Sequence, residues 1–201
     1  MTTVSMAVAF RFDAPTHTYW DLSTGEEIPH ITGFLMRGGI TDDLWFKDEH
    51  AERGRAVHSL CADFDLGALT DVAGCDSKYR GFLLAHVAAM QVLRPRLEIL
   101  AVEEPLVHSV YRFGGRPDRD IRFDGARGVF EIKSGAEDPR AHGIQTALQA
   151  ILVAEVAGLP AESLVRYVLY VKRTGRWKLI EMKNRRDFDT AYQLIRQFGG
   201  R

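Results

Sequence analysis

Cysteine is nearly absent from this chain. The 201 residues contain two, Cys61 and Cys75, far apart and without a C-x-x-C spacing. That leaves no pattern for a cysteine-ligated zinc or an iron–sulfur cluster, and a reducing, intracellular setting is the default. No apolar run approaches the roughly 18 to 20 residues of a membrane helix. The opening MTTVSMAVAF carries no basic lead and is too short for a secretory signal, so a cytoplasmic protein without membrane contact is expected. There is no glycine-rich P-loop, which excludes an ATP-driven motor. Repeats, low-complexity tracts and linkers are missing too, and one domain over 1–201 is expected. Lysine is also scarce, at 6 of 26 basic residues. The other basic residues are arginines, whose planar fork suits phosphate, although a net charge of −1 argues against a general nucleic-acid coat protein.

What is present reads as α/β. Hydrophobic residues make up 46% and charged residues 26%, ordinary for a globular protein with its own core. Phe10, Phe12, Tyr19 and Trp20 punctuate a predicted N-terminal hairpin. Thr32 is placed to cap a short helix closed by Gly38 and Gly39. Helical periodicity runs from Asp43 to about Asp65 through Leu44, Val57, Leu60 and Phe64, and a second helix over SKYRGFLLAHVAAMQVL stops at Pro95. Short β-rich runs follow, LEILAVEEPLVH, VYRFGG, DRDIRF and GVFEIK, with Asp124-Gly125 as a turn. A long helix starts near Pro139 and ends at Gly158. The strands LVRYVLYVK and WKLIEMK precede a last helix that Asp187 is placed to cap. An antiparallel meander followed by a crossover helix implies a mixed sheet. Residues 1–95 hold the hairpin and first helices, 96–183 the sheet and crossover helix, and 184–201 the last helix.

The charges at the strand ends call for explanation. Glu131 and Lys133 are two apart and share a face, while Ile132 points into the core. If the flanking runs pair, Asp118 lies beside Glu131. Adjacent carboxylates resist ionising together unless a cation sits between them, and oxygen ligands suit Mg²⁺ or Mn²⁺. A lysine alongside can orient a water or stabilise charge on phosphate. These are the parts of metal-assisted phosphodiester hydrolysis. On the long helix, His142, Gln145 and Gln149 form one polar stripe. Arg112, Arg116, Arg119, Arg122 and Arg127 cluster around the strands, either as a solvated hairpin or as phosphate contacts.

Pro117-Asp118 followed by Glu131-Ile132-Lys133 resembles the signature of the PD-(D/E)XK nuclease superfamily. RGRAVH (53–58) is similar to the helical histidine motif of its RecB-like and phage lambda-type exonuclease branch, GGRPD to its G-x-x-D element and EIKSG to its Asp/Glu-x-Lys-x-Gly strand. QTALQ falls where that branch has Q-x-x-x-Y, with Gln149 in place of tyrosine. The opening FRFDAPTHTYW…IPHITGFL also resembles the leader of phage and prophage members. The resemblance covers nearly the whole chain in order. It implies a restriction-endonuclease-like core and a Mg²⁺- or Mn²⁺-dependent deoxyribonuclease with one or two ions. The metal ligands it implies are Asp118, Glu131, the Ile132 backbone carbonyl and His58. One of Glu103 and Glu104 joins them, with Glu103 preferred. Lys133, Glu131, Asp118, His58 and Gln145 become the catalytic set, and Gln149, Arg53, Arg116, Arg119 and Ser134 contact substrate. Gly54, inside a helix, suggests close approach of another group. DNA is the implied partner, acting in recombination or repair in a bacterial cell or phage-infected host. A homo-oligomer and a phage partner such as a single-strand annealing protein fit the same branch. The alternatives are a structure-selective or restriction-like endonuclease, and a DNA-binding protein that keeps the fold without catalysis.

Overall fold

Phe12 and Tyr19 face each other across the first hairpin, as their alternation predicts. In the computed structural model, which describes residues 8–41, 48–69 and 71–200, this hairpin is β1 (Phe10–Asp13) and β2 (Thr18–Asp21), and β3 (Glu27–Ile28) extends it to three strands. Helix α1 (Ile31–Arg37) follows. Thr32 is not its cap: the helix begins at Ile31, and His30 at the N-cap makes no capping side-chain hydrogen bond among the described residues. Helix α2 covers Asp48–Asp65; the expected earlier start at Asp43 and Leu44 lies outside the described residues. Helix α3 (Ser77–Leu93) is capped by the Asp76 carboxylate on the Lys78 N–H and ends before Pro95.

The sheet is built next. Strand β4 (Leu97–Val102) leads to β5 (Leu106–Val107) and β6 (Gly114–Gly115), which form a separate two-stranded ladder. The run VYRFGG is therefore mostly turn, and only its two glycines are strand. Strands β7 (Arg119–Phe123) and β8 (Ala126–Lys133) pair antiparallel around Asp124 and Gly125, both in left-handed backbone (φ 48° and 84°), the conformation a tight hairpin requires. Helix α4 (Pro139–Ala157) carries Asp138 as N-cap, Pro139 in its first turn and Gly158 at φ 65° as its C-cap, as the Pro-start, Gly-end asymmetry predicts. A 3-10 turn at Ala161–Ser163 leads to β9 (Val165–Val171) and β10 (Trp177–Glu181), then to α5 (Arg186–Phe198). Asp187 sits in the first turn of α5 rather than at its cap; its buried carboxylate accepts from Arg166 at 3.1 Å and Asn184 at 2.9 Å.

The main sheet has the order β10-β9-β8-β7-β4. β8 and β9 are parallel and the other neighbours antiparallel, so the protein is α/β with a mixed central sheet flanked by helices. Helices α1, α4 and α5 cover one core with Phe34, Leu148 and Leu152. Helices α2 and α3 cover another with Phe82, Met90, Ile121, Phe130 and Ile132. Burying each such side chain contributes roughly 1.5 to 3 kcal/mol. No described helix is long and apolar enough to cross a membrane.

Candidate metal centre

The approach to Asp118 is shaped by two glycines. A Cβ on Gly114 would lie 2.7 Å from the Tyr19 ring, and one on Gly115 would lie 2.4 Å from Ile31 and 2.7 Å from Leu152. The N-terminal hairpin and α1 thus press directly on the backbone that runs through Pro117 to Asp118, and a side chain at either position would push them off.

Asp118 is buried, 7% exposed. The His58 Nδ1 donates to its Oδ1 at 3.0 Å, and the Ile132 backbone N–H donates to its Oδ2 at 2.7 Å. Glu103 joins this pair. One ligand atom each from His58, Glu103 and Asp118 lies within 4.8 Å of the others. Two local features, one in β4 and one just after it, bring Glu103 there. The register slips between Ile99 and Ala101, and Glu103 itself takes left-handed backbone at φ 48°, rare for a residue with a side chain. Its N–H donates to the Asp118 carbonyl at 3.0 Å. Glu104 is exposed and lines a separate cleft with Leu100, Asp120 and Arg127, so Glu103 is the one at the site.

Glu131 stands beside this triad without entering it. Its carboxylate, 2% exposed, accepts from Lys133 Nζ and Gln145 Nε2 on Oε1, both at 2.7 Å, and from Gln149 Nε2 on Oε2 at 2.6 Å. The expectation that Gln149 contacts substrate is corrected: it is 2% exposed and holds Glu131. Burial works against ionising Asp118, but the charge of His58 and its hydrogen bond, with Lys133 and Arg119 nearby, outweighs it and holds the carboxyl below its ordinary range. Burial likewise works against His58, and Asp118 overrides it, pushing the imidazole upward.

The arginine cluster dissolves into ion pairs. Arg112 pairs with Asp21, Arg116 with Glu103 at 3.0 Å, Arg119 with Asp65 at 2.6 Å, Arg122 with Glu98, and Arg127 with Asp120 at 2.5 Å. Arg119, expected at the substrate surface, is 1% exposed and belongs to the interior. Arg116 is the member that pairs with a side chain of the triad, and its guanidinium also lies 5.5 Å from the Phe12 ring centroid. The Arg53 side chain makes no hydrogen bond or ion pair among the described residues, and its Nε is buried. Ser134 follows β8 and is half-buried. Ile132 is fully buried, and the contact it makes with Asp118 is through its N–H. Among the described residues Gly54 is not a point of close approach, since a Cβ there would meet none of them within 4 Å.

Two features went unread in the sequence. The Tyr170 hydroxyl meets His142 Nδ1 at 2.7 Å, on the strand whose register sets Tyr170 against Lys133. Asp65 and His86 form a buried pair at 2.9 Å. The seven-residue spacing of His58 and Asp65 was the available signal, because it puts both on one face of α2.

No protein-family model matches the chain, and no curated protein matches its sequence.

Two carboxylates and one imidazole make a donor set suited to a divalent cation, with Mn²⁺ tolerating the nitrogen and Mg²⁺ favouring the oxygens. The triad therefore fits a metal by its chemistry and by the convergence of its ligand atoms.

Proposed function

We propose that this protein is a metal-dependent deoxyribonuclease with a restriction-endonuclease-like core, of the PD-(D/E)XK superfamily and its RecB-like and phage lambda-type exonuclease branch. The observation that carries the reading is the convergence of His58, Glu103 and Asp118 beside a Glu131–Lys133–Gln145 cluster, from segments the sequence motifs single out. The mixed sheet flanked by helices is compatible with that core. DNA as substrate rests on the order of the motifs.

In this reading His58, Glu103 and Asp118 hold a Mg²⁺ or Mn²⁺ ion. The ion would supply Lewis-acid activation of water and neutralise charge at the phosphate. The residues of the chain do the rest. Glu131 anchors the Lys133 ammonium at 2.7 Å, so Lys133 is aimed rather than free to sample rotamers. Its charge stabilises negative charge developing on the phosphate. Gln145 and Gln149 fix Glu131 from α4. Arg116, resting on Phe12 and paired with Glu103, stands next to the metal ligands and would contribute its charge to a phosphate bound there.

The test is digestion of end-labelled linear DNA and of closed circular DNA with Mg²⁺ or Mn²⁺, beside Lys133→Ala. The exonuclease reading expects metal-dependent loss of linear DNA only, abolished by the substitution. Cleavage of the circle would assign the endonuclease alternative. Binding of DNA without cleavage of either would overturn the enzymatic reading.

A further inference from the structure

Behind the candidate centre lies a charged cluster with no role in the reading above. The side chains of Asp65, Arg119 and His86 are 2%, 1% and 0% exposed. Asp65 accepts from His86 Nε2 on Oδ1 at 2.9 Å and from Arg119 Nε on Oδ2 at 2.6 Å. Arg119 Nη1 then donates to the backbone carbonyl of Asp118 at 2.6 Å. That same carbonyl accepts the N–H of Glu103. One oxygen thus ties together the backbones of two carboxylates of the triad, and Arg119 fastens it to the interior.

We propose that Asp65, Arg119 and His86 are a positioning network for the metal centre, setting where His58, Glu103 and Asp118 meet and hence how tightly a divalent cation binds. The inference rests on the reading of the triad as a metal site.

The placement on α2 supports it. His58 and Asp65 are seven residues apart, two helical turns, and face the same side. The first holds the Asp118 carboxylate and the second holds the side chain of the next residue. Helix α2 therefore grips the Asp118–Arg119 dipeptide at two points, and its histidine cannot slide relative to the carboxylate without breaking the buried pair. Stability alone is a poor reason for such a cluster. Burying an ion pair costs several kcal/mol per ion, and well-packed apolar residues of similar volume are often as stable or more so. The network is also incompletely satisfied, since Arg119 Nη2 and His86 Nδ1 are buried without partners among the described residues. Groups that orient metal ligands from behind typically change metal affinity 10- to 100-fold when removed.

The experiment is Mn²⁺ binding by titration calorimetry on the full chain, with thermal unfolding of each variant alongside. Asp65→Asn keeps volume and removes charge, Arg119→Met keeps length, and His86→Gln serves if either fails to fold. Ile121→Val, in the same strand and fully buried, is the packing control. The network variants should bind Mn²⁺ about 10- to 100-fold more weakly, while Ile121→Val binds as the wild type does despite a lower unfolding temperature. A folded network variant with wild-type Mn²⁺ affinity overturns the proposal and leaves the metal site standing. A wild-type protein that binds no Mn²⁺ overturns both.

Discussion

Replacing Gln149 by leucine separates a structural glutamine from a substrate-binding one. Of the donors to Glu131, Lys133 and Gln145 share Oε1, whereas Oε2 is served by Gln149 alone among the described residues. Leucine fills similar volume, so no cavity contribution enters. It leaves a buried carboxylate oxygen unpaired, a loss of roughly 1.5 to 3 kcal/mol for a bond to a charged group. Part of this is offset, because Gln149 Oε1 is itself buried without a partner among the described residues and that unsatisfied acceptor disappears, relieving roughly 1 kcal/mol. The expected net destabilisation is about 0.5 to 2 kcal/mol, or about 1 to 8 °C for a domain of this size. Urea unfolding of wild type, Gln149→Leu, Glu131→Gln and the double variant closes a thermodynamic cycle. The Gln149→Leu cost should shrink in the Glu131→Gln background, where the neutral amide needs the donor less. Undiminished stability in Gln149→Leu, or the same loss in both backgrounds, would refute the assignment.

Gly114→Ala places a methyl against the Tyr19 ring and should cost about 1 to 3 kcal/mol as overpacking, read as a lower unfolding temperature; an unchanged one would show that the hairpin yields freely. Glu103→Gln should weaken Mn²⁺ binding measured by calorimetry, whereas Glu104→Gln should leave it unchanged, and equal effects would refute the choice between them. Burial, with Lys133 adding to it, depresses the pKa of His142 from 6.5 to about 4. The unfolded chain therefore binds the extra proton first as pH falls, and stability is full above 6.5 and declines toward 4 by up to about 1.4 kcal/mol per pH unit. The unfolding free energy of wild type minus that of His142→Gln should accordingly drop between pH 6.5 and 4, and a flat difference would refute the depressed value. His58 has the opposite sense, since a raised pKa gives stability that is full below 6.5 and lost at higher pH; taking the difference against His142→Gln removes this contribution.

The sequence by itself determined the local geometry of this protein. Asp-Gly demanded a tight turn, and that turn fixed the register that sets Asp118 beside Glu131. The two-residue alternation in Glu131-Ile132-Lys133 put carboxylate and ammonium on one face and Ile132 in the core. Pro139 and Gly158 bounded a helix long enough to make β8 and β9 parallel. Tertiary structure alone decided which partners the polar groups took across elements, because such pairing depends on the element lying opposite rather than on chain neighbours. Five arginines that are indistinguishable in a cluster met five different carboxylates, and Arg119 went inside because Asp65 on α2 waited there. Gln149 turned inward to hold Glu131, since the sheet lies directly beneath that face of α4. Glu103 rather than Glu104 reached the site through a register slip and one left-handed residue, and neither leaves a periodic trace in a sequence.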